Sequence, residues 1–193
     1  MSSRNTLIFL LVLAALAGYW SLTSREGETD SGTPTPTASQ RLWERLTATE
    51  IVGIRLTDNR TGGVVELRNN EGAWAVVQPT SELADSSRAT TAATQLAGLI
   101  VSRTLSETAD LSGFGLLNPH YVFEVEKASG EKLLATIGEK TAVGNSYYAL
   151  RSGEGYAVLL GGGSVDALAG LITQPPYPPT PTPQPTPARE PNR

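Results

Sequence analysis

Short segments of alternating apolar residues, separated by tight turns, constrain this chain most. Residues 50–57, 64–68 and 73–77 alternate in the way that half-buried β-strands do. The turns between them, Asp58–Gly63 and Asn69–Gly72, are rich in Asn, Asp and Gly. Because connections this short join antiparallel neighbours, the first half of the chain predicts an antiparallel β-meander.

A helix is predicted after this meander. Apolar residues recur at helical spacing over residues 87–101, and Asp85 or Ser86 stands where an N-cap belongs. A short helical lead-in at 41–46, a strand at 104–105 and a short helical turn at 109–117 complete the first half.

The second half repeats this order of elements. Strands are predicted at 121–127, 131–137, 147–151 and 156–160, followed by a helix over 165–172 capped by Ser164. Both predicted helices contain Leu-Ala-Gly-Leu-Ile, at 96–100 and 168–172. A duplicated unit and a chance match of five residues both remain open. The fold class predicted is α+β, with antiparallel β-meanders each followed by a packed helix.

The N-terminus predicts a membrane anchor over residues 1–22. An apolar run from Leu7 to Trp20 follows Arg4, and Tyr19 and Trp20 suit a membrane interface. The charges predict a single pass through the cell membrane, with a cytoplasmic N-terminus and an extracytoplasmic domain. The alternative is a signal peptide, cleaved after the small residues around Ala17, which would give a secreted protein.

Two segments flank the folded part, which is predicted to span residues 40–173. Residues 23–39 are rich in Ser, Thr, Gly and Pro and predict a flexible linker. Residues 174–193 form a Pro/Thr-rich tail that predicts disorder with polyproline II character. The tail is interpreted as a spacer through the envelope, with a ligand for a proline-binding domain as the alternative.

Composition narrows the function classes. The chain has 193 residues, no cysteine and a single histidine, which leaves no basis for disulfides or a thiolate metal site and little for a zinc site. The net charge is −4, without a basic stripe, so no nucleic acid partner is expected. No catalytic residue, cofactor or metal site is predicted.

Two glycine-rich stretches are candidates for phosphate or anion sites. In Gly138–Thr141 a Glu stands where a P-loop needs its second Gly, and the stretch leads into a predicted strand instead of a helix. Gly161–Gly163 precedes a helix but no Lys follows it. Both stretches are therefore interpreted as turns and links.

Four further features are candidates for a functional role. His120 is interpreted as a surface residue at the start of a strand. Glu124 and Glu126 lie on the same face of a strand, but they are too exposed and too alike to be proposed as a catalytic acid–base pair. Asn59 begins a glycosylation sequon. Tyr147 and Tyr148 must point to opposite faces of a strand, so one is expected in the core and the other is a candidate surface aromatic.

Two stretches together resemble the domain of unknown function 4340 family. They are DLSGFGLLNP, residues 110–119, and GEKTAVGNSYYA, residues 138–149, where Ala142 replaces the family's usual Pro. The Glu71–Trp74 turn with Pro79, the helix after Asp85 and the stretch Ser164–Leu168 agree with it. The likeness covers residues 48–172.

The resemblance implies a bacterial envelope protein with one N-terminal anchor and no known catalytic residues. It also implies an association with components similar to ABC transporter auxiliary proteins. The function expected is therefore a membrane-tethered, extracytoplasmic, non-enzymatic binding or accessory module with an envelope or transporter protein as partner. The alternative is an envelope hydrolase whose carboxylates are brought together by the fold.

Overall fold

The computed structural model describes residues 40–105 and 111–179. Ten strands form one sheet, and every neighbouring pair is antiparallel. The strands are β1 (Gln40–Arg41), β2 (Ile51–Asp58), β3 (Val64–Asn70), β4 (Ala73–Gln78), β5 (Glu82–Leu83), β6 (Ile100–Thr104), β7 (Tyr121–Lys127), β8 (Lys132–Lys140), β9 (Ser146–Arg151) and β10 (Val158–Gly161).

The strand order places the two halves of the chain side by side. It runs β1-β6-β10-β9-β8-β7-β2-β3-β4-β5, so β2 and β7 pair at the centre. From this central pair, β2 to β5 extend in one direction and β7 to β10 in the other. The antiparallel meanders predicted from the tight turns are confirmed.

Within the described residues two α-helices, α1 (Ser86–Ala97) and α2 (Gly162–Thr173), cover one face of the sheet. Their apolar residues Ala89, Leu96, Val165 and Leu168 join the same buried cluster as strand residues. The strand residues at the centre of that cluster are Ile54, Leu56, Leu67, Phe123, Val125, Ala135 and Ile137. The large antiparallel sheet with two packed helices confirms the mixed fold class.

Helix α1 begins as predicted but ends earlier. The Asp85 side chain accepts hydrogen bonds from the amides of Ser87 and Arg88, which fixes the N-cap. The helix stops at Ala97, and residues 100–104 form β6 instead of its predicted last turn. The prediction of helix to residue 101 was wrong because the apolar spacing continues into a strand that pairs with β10 and β1.

Three other local predictions need correction. Helix α2 has its N-cap at Gly161 and not at Ser164. Residues 40–41 pair as a strand, and the helical lead-in predicted at 41–46 is absent. Leu42, Trp43 and Leu46 are buried in the core. The short helix predicted at 109–117 is absent from residues 111–117, of which 111–115 form turns, and its residues 109 and 110 lie outside the described part.

The predicted anchor at 1–22, the linker at 23–39 and the tail from residue 180 lie outside the described residues. Within residues 40–105 and 111–179, no helix combines the length and apolarity needed to cross a membrane. Residues 174–179, the start of the proline-rich stretch, do lie within the described part, where Pro176 is buried and Tyr177 packs against the core. The folded part therefore extends past the predicted end at Thr173.

Candidate functional site

The face of the sheet opposite the helices, called the open face below, carries the charged side chains of the central strands. Side chains alternate between the faces of a strand, so Ile54 and Leu56 enter the core while Arg55 points away from it. Both described helices pack on the core face, and the open face is left uncovered at its centre in the described part of the chain. Six side chains line a shallow depression there, called the charged network: Arg55, Glu66, Arg68, Glu124, Glu126 and Lys132.

Ion pairs join these side chains across four strands. Arg68 donates from Nη1 to Glu126 Oε2 at 2.6 Å and from Nε to Glu66 Oε1 at 3.1 Å. Lys132 Nζ lies 3.0 Å from Glu124 Oε1. The hydrogen bond to Glu126 is the main cause that raises the pKa of Arg68. Glu124 and Glu126 therefore each have a cationic partner.

Gly53 lets the network cross strand β2. It is the register partner of both Arg68 on β3 and Glu126 on β7, so it lies directly between them. A Cβ at Gly53 would lie 3.0 Å from Arg68 Nη1 and 3.1 Å from Glu126 Cβ. Because Gly53 has no side chain, the Arg68 guanidinium can extend across β2 and reach Glu126.

An aromatic pair, Tyr148 and Phe114, lies on the open face at β9, to one side of the charged network. Tyr147 is 7% exposed in the core, while Tyr148 on the opposite face stacks on Phe114 at 4.2 Å between ring centroids. The prediction that these tyrosines point to opposite faces is confirmed. Tyr148 is thus half-buried and is held by the Phe114 ring from another segment.

The segment that carries Phe114 is pressed against β8. Glu139 N donates to Phe114 O at 2.9 Å, and a Cβ at Gly138 would lie 2.1 Å from that same oxygen. Gly115 adopts φ +69°, which favours glycine. The two stretches that carry the family resemblance therefore contact each other, with their glycines at the contact.

A second polar cluster lies where β8, β9 and α2 meet. The Tyr147 hydroxyl donates to Asp166 Oδ1 at 2.7 Å, and Lys140 Nζ lies 3.3 Å from Asp166 Oδ2. Burial, and next the hydrogen bond to Asp166, raise the pKa of Tyr147. Arg60 pairs with Glu139 at 2.5 Å beside this cluster. These contacts tie strands to a helix and hold the residues in place.

His120 lies at the start of β7, stacked on Tyr121 at 4.6 Å between centroids. Burial, and next the positive charge of Arg60, lower the pKa of His120, so the neutral imidazole is favoured. Its Nδ1 is buried without a hydrogen-bond partner in the described part of the chain. His120 is thus less exposed than the surface position predicted for it.

The glycine-rich stretches lie mostly within regular elements, and not in the turn and the link predicted for them: Gly138 and Lys140 belong to β8, Gly161 ends β10, and Gly162 and Gly163 begin α2. Strand β8 extends past its predicted end at residue 137, and the chain then turns into the strand β9 and not into a helix, as predicted. Gly162 N donates to Asn145 O at 2.7 Å, and a Cβ there would lie 2.4 Å from Asn145 Oδ1. One amide at the start of α2 is therefore already bonded. Asn59, of the sequon, donates to Pro119 O at 2.9 Å.

Sequence reasoning did not find the charged network as a unit. It noted Glu124 and Glu126 but missed Arg55, Glu66, Arg68 and Lys132. Charges two residues apart, at 66 and 68 and at 124 and 126, were the available signal, but pairing them requires the register of β2 with β3 and β7.

No group of three or more metal-ligating side chains comes together within residues 40–105 and 111–179. No family model matches the chain, and neither a curated protein nor a solved structure matches it.

Proposed function

We propose that this chain is a membrane-tethered, extracytoplasmic, non-enzymatic binding module whose open sheet face receives a protein partner of the cell envelope. The observation that carries the proposal is the open face itself. Its paired charges and its aromatic pair lie on one continuous antiparallel sheet that no described helix covers at the centre.

The charged network suits recognition of a protein surface. Glu66 and Glu126 side chains are 13% and 26% exposed, whereas those of Arg55 and Lys132 are 45% and 59% exposed. The carboxylates therefore lie deeper than two of their cationic partners. A partner that approaches this centre meets mainly cationic groups held in place by acids, which favours complementary acidic side chains.

Half-exposed side chains, three of them apolar, lie beside this charged centre on β7, β8 and β9. Val122, Leu134, Thr136 and Leu150 lie on the open face, because each pairs in register with other residues of that face. Tyr148 extends this zone to the Phe114 stack. An apolar zone beside ordered charges is the composition found at many protein interfaces.

The wider assignment is part of the same proposal. We propose membership in the domain of unknown function 4340 family, an N-terminal span at 1–22 and an ABC-transporter-type complex as the setting. The meeting of the two resembling stretches at Gly138 supports the family, and the matching order of the two halves around β2 and β7 supports a duplicated unit.

Location is tested by fractionation. The intact chain should stay in the membrane pellet after a high-salt wash, because a hydrophobic helix is not released by screening charge. A soluble mature form that begins at Gly18 would instead establish the signal-peptide alternative.

Partner binding is tested by crosslinking in membranes followed by affinity capture. The variant Arg55→Glu/Lys132→Glu reverses the two most exposed cations of the network, and Arg45→Glu is a matched reversal of an exposed charge outside it. An envelope protein captured by the wild type and by Arg45→Glu, but lost in the double variant, is the expected result. Equal capture by all three, or capture by none, would contradict the proposal.

A further inference from the structure

The start of the proline-rich stretch is held by donors from the first half of the chain. Arg88 on α1 donates from Nη2 to Gln174 O at 2.9 Å and from Nη1 to Pro175 O at 3.2 Å. The next carbonyl, Pro176 O, accepts from Asp85 N at 2.7 Å. Three successive backbone carbonyls are thus each matched to a donor.

Two side chains of the segment are received as well. Pro176 is buried, and Tyr177 packs against the core. The Tyr177 hydroxyl lies 3.3 Å from both the N and the O of Thr80, in the loop between β4 and β5. Tyr177 N also donates to Pro175 O at 2.8 Å, which bends the peptide at Pro176.

This pattern suits proline because of its backbone chemistry. A proline has a carbonyl acceptor but no N–H, and a proline-rich segment makes few hydrogen bonds of its own. The guanidinium of Arg88 and the backbone amide of Asp85 are hydrogen-bond donors and match the carbonyl acceptors of such a segment. Since prolines have no N–H, the segment does not need acceptors from the site in return. The buried Pro176 ring and the Tyr177 side chain make the site selective for the shape of the peptide.

We propose that the start of α1 and the Thr80 loop form a recognition site for peptides of the Pro-Pro-Tyr type, occupied in this chain by its own residues 174–179. The contacts join residues 86 to 97 positions apart in sequence, so the peptide and its site come from opposite halves of the chain. Any other proline-rich ligand must compete with this internal one.

The test empties the site within the full chain. In the variant Pro176→Gly/Tyr177→Ala the two received side chains are removed while Arg88, Asp85 and Thr80 remain. The probe is a fluorescein-labelled peptide with the sequence of residues 173–182, followed by fluorescence anisotropy. We expect saturable binding to this variant and at least about tenfold weaker binding to the wild type, whose tethered segment competes at a high effective concentration.

Two comparisons assign the binding to the site. Adding Arg88→Leu to the emptied variant should weaken binding about tenfold, because two hydrogen bonds from a charged donor are lost. Adding Arg45→Leu should leave binding unchanged. Equal binding by the wild type and the emptied variant, or no binding by an emptied variant that still melts cooperatively, would overturn the proposal.

A second measurement does not depend on that variant. In the wild type, amide hydrogen exchange at Asp85 should be slow because this amide bonds to Pro176 O, and Arg88→Leu should make it faster. The Ala89 amide, which bonds to Asp85 O inside the helix, is the internal control and should not change. Unchanged exchange at Asp85 in Arg88→Leu would show that Arg88 does not hold the segment and would overturn the proposal.

Discussion

The guanidinium of Arg68 contacts the carboxylate of Glu126 at 2.6 Å across an intervening strand. Their strands, β3 and β7, both pair with β2, and Gly53 of β2 lies between the two side chains. A residue of the first half of the chain is thereby joined to one of the second half at the centre of the open face. The contact therefore depends on the absence of a side chain at Gly53 as well as on the two charges.

Replacing Gly53 should weaken the domain. In Gly53→Ala the new Cβ must displace the guanidinium and crowd Glu126 Cβ, at a cost of about 1 kcal/mol in the free energy of unfolding. Chemical denaturation of the full-length chain measures this. Gly155→Ala is the control, since its Cβ position has no heavy atom within 4 Å, and a loss as large there would contradict the account.

The loop at the second glycine stretch gives a ranked set of stabilities. Gly138→Ala should cost about 3 kcal/mol, because its Cβ would meet a backbone oxygen in a packed contact. Gly144→Ala should cost about 1 kcal/mol, since Gly144 has φ +87° in open space. Lys140→Ala should cost less than about 0.5 kcal/mol, because its partner Asp166 is as exposed as it is.

Melting temperatures of the three variants test this order. The same melts with ATP or GTP test the interpretation of the stretch as sheet and turn. A rise in melting temperature with nucleotide that disappears in Lys140→Ala would instead indicate a phosphate site.

The single imidazole should titrate below its usual midpoint of 6.5, because burial and Arg60 oppose its charging. Its contribution to stability is therefore full above pH 6.5 and is lost as the pH falls through the lowered folded-state pKa. An NMR titration of His120 reads the midpoint directly. Arg60→Gln should move the midpoint upward, and a wild-type midpoint at or above 6.5 would contradict the structure.

Tyr147→Phe should cost about 1 kcal/mol at neutral pH through the lost hydrogen bond to Asp166. The raised pKa of Tyr147 means that its contribution is intact below about pH 10 and is lost as the pH rises further. The variant should thus show a shallower loss of melting temperature in alkaline buffer. Tyr148→Phe keeps its ring stack on Phe114 and serves as the comparison at neutral pH, where it should melt like the wild type.

Local structure could be predicted from the sequence where a single local pattern determines it. Tight Asn/Gly turns predicted the meanders, and Asp85 predicted the start of α1, because these effects act within a few residues. The end of α1 was mispredicted because Leu99, Ile100 and Val101 extend an apolar pattern that helices and strands share. Pairing with β10, a partner from the far end of the chain, decided that segment.

The candidate site depended on long-range geometry from the outset. Glu126 was visible as a charge on a strand, but its partner Arg68 lies 58 residues away and becomes its neighbour only in the folded register. Likewise the contact of Gly138 with Phe114 joins two stretches that the sequence shows only as separate motifs. Side-chain networks across a sheet follow from the pairing register, which local propensity does not specify.

The most direct test of the open face as the binding surface is site-specific photo-crosslinking in intact membranes. A photo-reactive amino acid replaces Lys132, exposed on the open face, or Thr90, exposed on the helix side of the domain. The account predicts a discrete crosslinked envelope protein from position 132 and none from position 90. The same crosslinked protein from position 90, with nothing from position 132, would contradict it.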